Sequence, residues 1–298
     1  MIKNHKYGFH MKIALLGIGL MGLPMGHRLL AAGFELSVWN RSPEKCKPLV
    51  EAGGMHLKSI TDASDSDVII TMLADGTIVE SMLGQIAPLL SERHTIIDMS
   101  STSLNQVQQI ARLITQTGAA FMDAPVSGGV MGAEKGTLAI MVGSDSSRVF
   151  DQALPVFSAM GRAVRVGNIG SGQLSKLANQ AIVGGTIGIV AEAVLLLEQA
   201  GVDPIAFRDA LSGGFADSLI LQLHGERMAS RRFTPGGKVS TQLKDEKNIV
   251  EAAKFYNLEL PMTESILKRY ESLCGDPSCR ELDHSALFIE LLRRNNLS

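Results

Sequence analysis

The sequence predicts a doubly wound α/β domain, then one long helix, then an all-α domain. Three observations predict it. Short apolar, β-rich runs alternate with helical patterns as far as Gly167. A glycine-rich loop stands directly after the first of those runs. Beyond Gly167 only helical patterns occur. The length agrees, since 298 residues hold about two domains of ~150 each. The boundaries read as a loose extension over 1–10, the α/β domain over 11–168, and the long helix with the all-α domain over 169–298.

Taken in order, residues 12–16 are apolar and read as a buried strand. A helix is predicted over 25–32, ended by Gly33. A second strand covers 35–39, and a second helix 43–51 is closed by Gly53 and Gly54. Residues 68–72 and 95–99 read as further strands, with helices near 78–83 and 104–115. Residues 119–122 and 138–142 read as later strands. Strands alternating with helices imply a parallel sheet covered on both faces. Residues 171–200 read as one long helix, followed by helical patterns over 204–211, 219–228, 243–255, 263–273 and 285–293. The uncharged stretch between Lys176 and Glu192 falls short of the ~18 residues of a membrane span and reads as a buried helix. Residues 1–10 lack the apolar run of a signal peptide.

Composition removes several functions. Hydrophobic residues make up 45% and charged residues 19%, which excludes disorder. With 28 basic against 30 acidic residues, the formal charge is -2, so neither nucleic acid nor a membrane surface is expected as a partner. Cys46, Cys274 and Cys279 form no C-x-x-C pair, which argues against a zinc site or a disulfide framework and fits a reducing cytoplasm. His94 and His224 read as packing or surface residues, His284 as a structural residue at a helix start, and no metal is expected. Glycine is in excess, 30 residues against a typical ~7%. The excess concentrates in three loops.

The first loop is Gly17-Ile18-Gly19-Leu20-Met21-Gly22, a G-x-G-x-x-G between a strand and a helix, the context a dinucleotide fingerprint requires. Gly17 permits the tight turn, Gly19 lets the backbone approach a pyrophosphate, and Gly22 lets the helix pack on the sheet. About 20 residues on, where NAD enzymes place an acid for the ribose 2′-hydroxyl, stand Asn40 and Arg41. A neutral amide beside a guanidinium favours a 2′-phosphate, hence NADP(H) over NAD(H). The second loop, Asp123-Ala124-Pro125-Val126-Ser127-Gly128-Gly129, leaves bare N–H groups that can ring an anion, with a flexible hairpin as the alternative reading of this segment alone. The third, Gly170-Ser171-Gly172-Gln173, runs into the long helix and leads to Lys176. There a lysine either snorkels to water or serves as an acid/base group with Asn179 one turn later.

These motifs, with Leu243-Lys244-Asp245, occur in an order that resembles the β-hydroxyacid dehydrogenase family from Met11 nearly to the C-terminus. The resemblance implies a Rossmann domain, a long interdomain helix and a helical oligomerisation domain, the arrangement of 6-phosphogluconate dehydrogenase-like proteins. It implies Lys176 as the group that moves the proton of the reacting oxygen. Ser127, Gly128 and Gly129 would hold the substrate carboxylate, with Asn179 contacting substrate. Lys244, near Asp245, would sit over the nicotinamide end, and Leu73 and Thr102 would line the cofactor with Gly17, Gly19, Leu20, Met21, Gly22, Asn40 and Arg41. Many members carry Asn four residues after the lysine; here that residue is Gln180, preceded by Asn179. The Asn-Gln pair and Asp283-His284-Ser285-Ala286-Leu287 resemble the tartronate semialdehyde (2-hydroxy-3-oxopropionate) reductase branch. The expected enzyme is a cytoplasmic, homodimeric or homotetrameric NAD(P)-dependent oxidoreductase that interconverts a small carboxylate-bearing semialdehyde and its hydroxy acid. The other readings are 3-hydroxyisobutyrate dehydrogenase, glyoxylate or succinic semialdehyde reductase and, from a different class, a non-catalytic dinucleotide-binding module.

Overall fold

The computed structural model describes residues 11–297, so the extension expected over 1–10 lies outside the described residues. The chain divides into two compact units, one ending at Lys176 and the other running from Leu177. In the first, β1 (Lys12–Leu16), α1 (Gly22–Ala31), β2 (Glu35–Trp39), α2 (Lys47–Glu51), β3 (Met55–His56) and β4 (Val68–Thr71) come in turn. They are followed by α3 (Gly76–Ile86), β5 (Thr95–Asp98), α4 (Leu104–Thr115), β6 (Ala120–Asp123), β7 (Val126–Ser127) and α5 (Gly129–Lys135). Then come β8 (Leu138–Gly143), α6 (Ser147–Met160), β9 (Gly161–Gly167) and the start of α7 (Ser171–Gln199).

The strands form one sheet in the order β3-β2-β1-β4-β5-β6-β8-β7, with β9 on β8. From β3 to β6 every pairing is parallel. Beyond β6 the expectation of a parallel sheet needs correction, because β8 runs antiparallel to both β6 and β7. The chain reverses there through the seven residues of α5, too few for the crossover that returns a strand parallel. Successive residues of a strand face opposite sides, and β1 shows the result. Ile13 and Leu15 join Met25 and Leu29 of α1 and Val156 and Phe157 of α6 in one buried cluster. Ala14 and Leu16 join Val79 and Leu83 of α3 and Val107 and Ile110 of α4 in another. The sheet is covered on both faces, which explains the unbroken apolar runs of its strands.

Local chemistry starts the helices. Ser103 and Gln106 form a reciprocal capping box at α4, the Asp75 carboxylate accepts from the Ile78 N–H at 3.0 Å ahead of α3, and the Ser146 hydroxyl accepts from Val149 ahead of α6. Helix α6 was not legible in the sequence because Pro155 interrupts its pattern. Its apolar face, Ala153, Val156, Phe157 and Met160, holds it helical across the missing N–H. Strand β9 hid for another reason: its burial alternates only between half-buried and exposed, with arginines among its residues.

The second unit contains the rest of α7 and α8 (Pro204–Ala210), α9 (Leu219–Ala229), α10 (Val239–Phe255), α11 (Pro261–Cys274) and α12 (Leu287–Arg294). Helix α10 starts at Val239, earlier than expected, which puts Lys244 in its second turn. Ile187, Val190, Ala191 and Val194 of α7 form a core with Leu221, Met228, Tyr270, Leu273 and Phe288. By length and composition alone α7, at 29 residues, is long and apolar enough to cross a membrane. Its buried face belongs to a protein core. Gly184 and Gly188 serve that packing. A Cβ at Gly184 would collide with the side chains of Glu246 and Gln242, and one at Gly188 with Ile266, so side chains rather than a second backbone occupy the space.

Candidate active site

The order of the parallel strands reverses around β1, which lies between β2 and β4. In doubly wound sheets ligands bind at the carboxyl ends of the strands beside such a reversal. The segments after β1, β2, β4, β5 and β6 carry the predicted cofactor and carboxylate residues of this unit. Gly17 has φ +103°, and its N–H donates to the Trp39 carbonyl at 2.9 Å. A side chain at 17 would run into the Met72 carbonyl, and one at Gly22 into the carbonyl of Gly17; at Gly19 it would meet open space. Asn40 braces this loop, its side-chain oxygen accepting from the Ile18 N–H at 3.0 Å and its amide donating to the Ser42 carbonyl at 3.1 Å. Arg41 beside it is exposed, as is Leu20 in the loop.

These residues fit a dinucleotide on two observations. Met21, ahead of α1, makes no side-chain cap, so no cap competes for the N–H groups of the Gly19–Gly22 turn, which suit a phosphate; Leu23 already donates to the Gly19 carbonyl and Pro24 has no N–H. The Thr102 hydroxyl is buried with no hydrogen-bond partner among the described residues, an unmet polar group in the loop assigned to the cofactor. Leu73 is held by its N–H, which donates to the Ser100 hydroxyl at 3.0 Å.

Beneath these loops lies a polar network that sequence reasoning missed. Asp98 and Asp123 stand side by side at the ends of β5 and β6, both fully buried. One Asp98 oxygen accepts the Thr71 hydroxyl at 2.8 Å and the Ser100 N–H at 3.0 Å, and the other is unpartnered. Asp123 accepts the Gly170 and Gln173 N–H groups, each at 2.7 Å, at the start of α7. The Gln173 side chain donates to the Ser100 carbonyl at 2.6 Å and accepts from the Thr102 N–H at 3.2 Å. Asp123 was visible as the first residue of its motif, but its link to residues 170–173 depends on which strands are neighbours.

Burial raises the Asp98 carboxyl from an ordinary 3.8 to about 6. Burial and the nearby Asp98 raise Asp123 to about 7. A raised carboxyl binds its proton more tightly folded than unfolded, so its contribution to stability is lost as pH rises from about 4 through the folded value. For Asp98 the loss is about 3 kcal/mol once it ionises. The expected result is that Asp98→Asn flattens the fall of Tm between acid and neutral pH, measured by thermal melts across that range. Equal slopes in the two proteins would disprove it.

Ser127 is half-buried and fixed by pairing with Ala139 of β8. Gly128 and Gly129 follow at φ +132° and +60°, exposed and without side chains. Successive backbone N–H groups in a glycine turn of this kind can ring an anion. Lys176, half-buried, lies in the second turn of α7.

In the second unit the Asn179 amide donates to the Gln180 side-chain oxygen at 2.8 Å, and the Gln180 amide donates to Asp245 at 2.9 Å. The other Asp245 oxygen faces the Lys244 ammonium at 3.6 Å. The predicted Asn179 and Lys244 are thus joined through Gln180 and Asp245. Gln242 extends the network to Glu246, whose fully buried carboxyl is raised to about 7 by burial. His224 is buried and stands 3.2 Å from the half-buried His284. With Asp283 they are the described residues whose ligand atoms cluster within 4.8 Å. Asp283, however, is occupied by Arg227, by Ser285 and by the Gly236 N–H at 2.8 Å, so a guanidinium already holds the place of a cation. His94 is buried and bonds to Ser64 and Ser91, as a packing residue.

Comparison with known proteins gives the chemistry a family. Residues 12–170 match the NAD-binding domain of 6-phosphogluconate dehydrogenase, and residues 170–291 match the NAD-binding domain of NADP-dependent 3-hydroxyisobutyrate dehydrogenase. The chain is 39% identical to the 2-hydroxy-3-oxopropionate reductase of Escherichia coli K12, over 97% of this chain and all of that protein. It is 29% identical to glyoxylate/succinic semialdehyde reductase 2 of Arabidopsis thaliana, over 87% of this chain and 74% of that one. Among solved structures, the 3-hydroxyisobutyrate dehydrogenase of Mycobacterium tuberculosis with L-serine superposes with a TM-score of 0.87 at 27% identity, covering 95% of this chain and 99% of that one. The chain belongs to the β-hydroxyacid dehydrogenase family, related to 3-hydroxyisobutyrate dehydrogenase, and is an NAD(P)-dependent oxidoreductase acting on CH–OH groups.

Proposed function

We propose that this enzyme reduces a small carboxylate-bearing semialdehyde to its hydroxy acid, with 2-hydroxy-3-oxopropionate to glycerate as the best-supported pair and NADPH as the preferred cofactor. The observation that carries the reading is the joining of α7, the helix of Lys176, to the loop of Ser127, Gly128 and Gly129 through the Asp123 carboxylate. The E. coli relative's name and the Asn179-Gln180 pair support the substrate.

Gly17, Gly19, Leu20, Met21, Gly22, Asn40, Arg41, Leu73 and Thr102 would hold the dinucleotide, which when bound supplies or accepts hydride. Ser127 and the N–H groups of Gly128 and Gly129 fix the substrate carboxylate. Lys176 donates a proton to the oxygen as negative charge develops there, and neutral Lys176 takes that proton in the oxidative direction. Asn179 orients the same end of the substrate, and Lys244 adds positive charge. Arg41, exposed beside the brace at Asn40, pairs with a 2′-phosphate. Exposed Ile182, Ile189 and Leu196, seven residues apart on α7, support a homodimer or homotetramer. Three buried free cysteines fit a reducing cytoplasm.

The test is a panel of tartronate semialdehyde, glyoxylate, succinic semialdehyde and methylmalonate semialdehyde, each run with NADPH and NADH. Tartronate semialdehyde with NADPH is expected to give the highest kcat/KM. Arg41→Ala should lower kcat/KM for NADPH by about tenfold, worth about 1.4 kcal/mol, and leave NADH unchanged. Preference for another aldehyde would move the substrate assignment. A native preference for NADH would remove the role of Arg41.

A further inference from the structure

We propose that Gln173 and Asp123 are positioning residues that hold Lys176 in register with the Ser100–Thr102 loop and the Ser127 loop. The inference rests on Lys176 being the proton donor. Gln173 is fully buried, and both ends of its amide are used. The NH2 group donates to Ser100 and the oxygen accepts from Thr102. A flipped amide would set donor against donor and acceptor against acceptor, so the grip has one orientation. It fixes the rotation of α7 about its axis. Asp123 fixes its translation, because its two oxygens take the N–H groups of Gly170 and Gln173 separately. Gly172 permits the approach, since a side chain there would strike the carbonyls of Asp123 and Met141.

Lys176 is three residues after Gln173, one turn along and on a neighbouring face of the helix. The face that grips the β5 loop is therefore next to the face that presents the lysine. A lysine side chain is long and mobile, and what the fold can fix is where it starts. Gln173 and Asp123 fix that start relative to the two loops that carry Thr102 and Ser127. Proton transfer is steep in distance, and a displacement of about 1 Å costs about 100-fold in rate.

The experiment compares wild type, Lys176→Ala, Gln173→Met and Gln173→Glu. The readouts are kcat across pH, the solvent isotope effect, NADPH affinity by fluorescence, and hydrogen exchange of the 99–104 peptide in the cofactor-free protein. Gln173→Met keeps the shape and removes both bonds. It is expected to lower kcat by about 30- to 100-fold, raise the solvent isotope effect and speed exchange of the 99–104 peptide, with a smaller loss of NADPH affinity because Thr102 lies in that loop. Gln173→Glu regains the donor and acceptor pattern only when protonated, so its kcat should recover toward acid pH where wild type does not, a response that a merely structural role would not produce. This variant also keeps the inference testable where Gln173→Met does not fold. An active Lys176→Ala overturns the proton-donor reading and this inference with it. An inactive Lys176→Ala beside Gln173 variants of normal kcat, or a Gln173→Glu profile parallel to wild type, overturns the inference alone.

Discussion

Lys176→Ala is expected to lower kcat by about 10³- to 10⁴-fold while NADPH binds as in wild type. The reason lies in what the reaction needs and what the fold provides there. An aldehyde oxygen that gains a hydride at its carbon becomes an alkoxide, and without a donor that charge must be carried to a solvent proton. In the proposed mechanism the ammonium of Lys176 supplies one, near the start of a helix whose first turn is bonded to Asp123 and Ser100. Lys176→Arg should fail nearly as completely, because a guanidinium keeps its proton at any working pH. The dinucleotide residues lie in other loops, so fluorescence titration with NADPH should give an unchanged dissociation constant. Near-normal turnover in the alanine variant would remove Lys176 from the mechanism.

The second large effect is expected at Gly19. Gly19→Val should weaken dinucleotide binding by about 100-fold or more, worth about 3 kcal/mol, with Tm unchanged. None of the described residues stands within 4 Å of the position a Cβ would take, and the backbone there is not in the left-handed region, so their packing has no need of glycine. The need arises from the pyrophosphate that the loop is read to receive. Gly22→Ala is the contrast. Its side chain would collide with the Gly17 carbonyl, and it should lose stability as well as affinity. Calorimetry with NADPH and thermal melts separate the two. A Gly19 variant with native affinity would show that the loop does not approach the dinucleotide through its backbone.

Much of this architecture was legible because period and punctuation agree along the chain. Strands β1, β4 and β5 are buried on both faces and read as short apolar runs ending at glycines or polar residues. Amphipathic α4, with its capping box, was legible at both ends. Helix α6 and strand β9 were not, since Pro155 and the arginines of β9 contradict the local pattern and only the sheet they pack on overrides it. Most of the predicted site residues belong to short contiguous motifs, whereas Leu73 and Thr102 rested on the family resemblance alone. Asp98 and Ser100 lie far in sequence from Gln173, and what unites them is the adjacency of β5, β6 and the start of α7. Asn40 was read for its charge. Its hydrogen bond to Ile18 shows a mechanical task that composition at one position does not express.

The seam between the two compact units, falling between Lys176 and Leu177 inside one continuous helix, makes the protein modular in an unusual place. A recombinant chain cut there would inherit the glycine loop, the carboxylate loop and the lysine from one parent, and the Asn-Gln pair with Lys244 from the other. Under the proposed roles, a chimaera joined at residue 176 would exchange Asn179 and Lys244 and keep the carboxylate loop and the proton donor together.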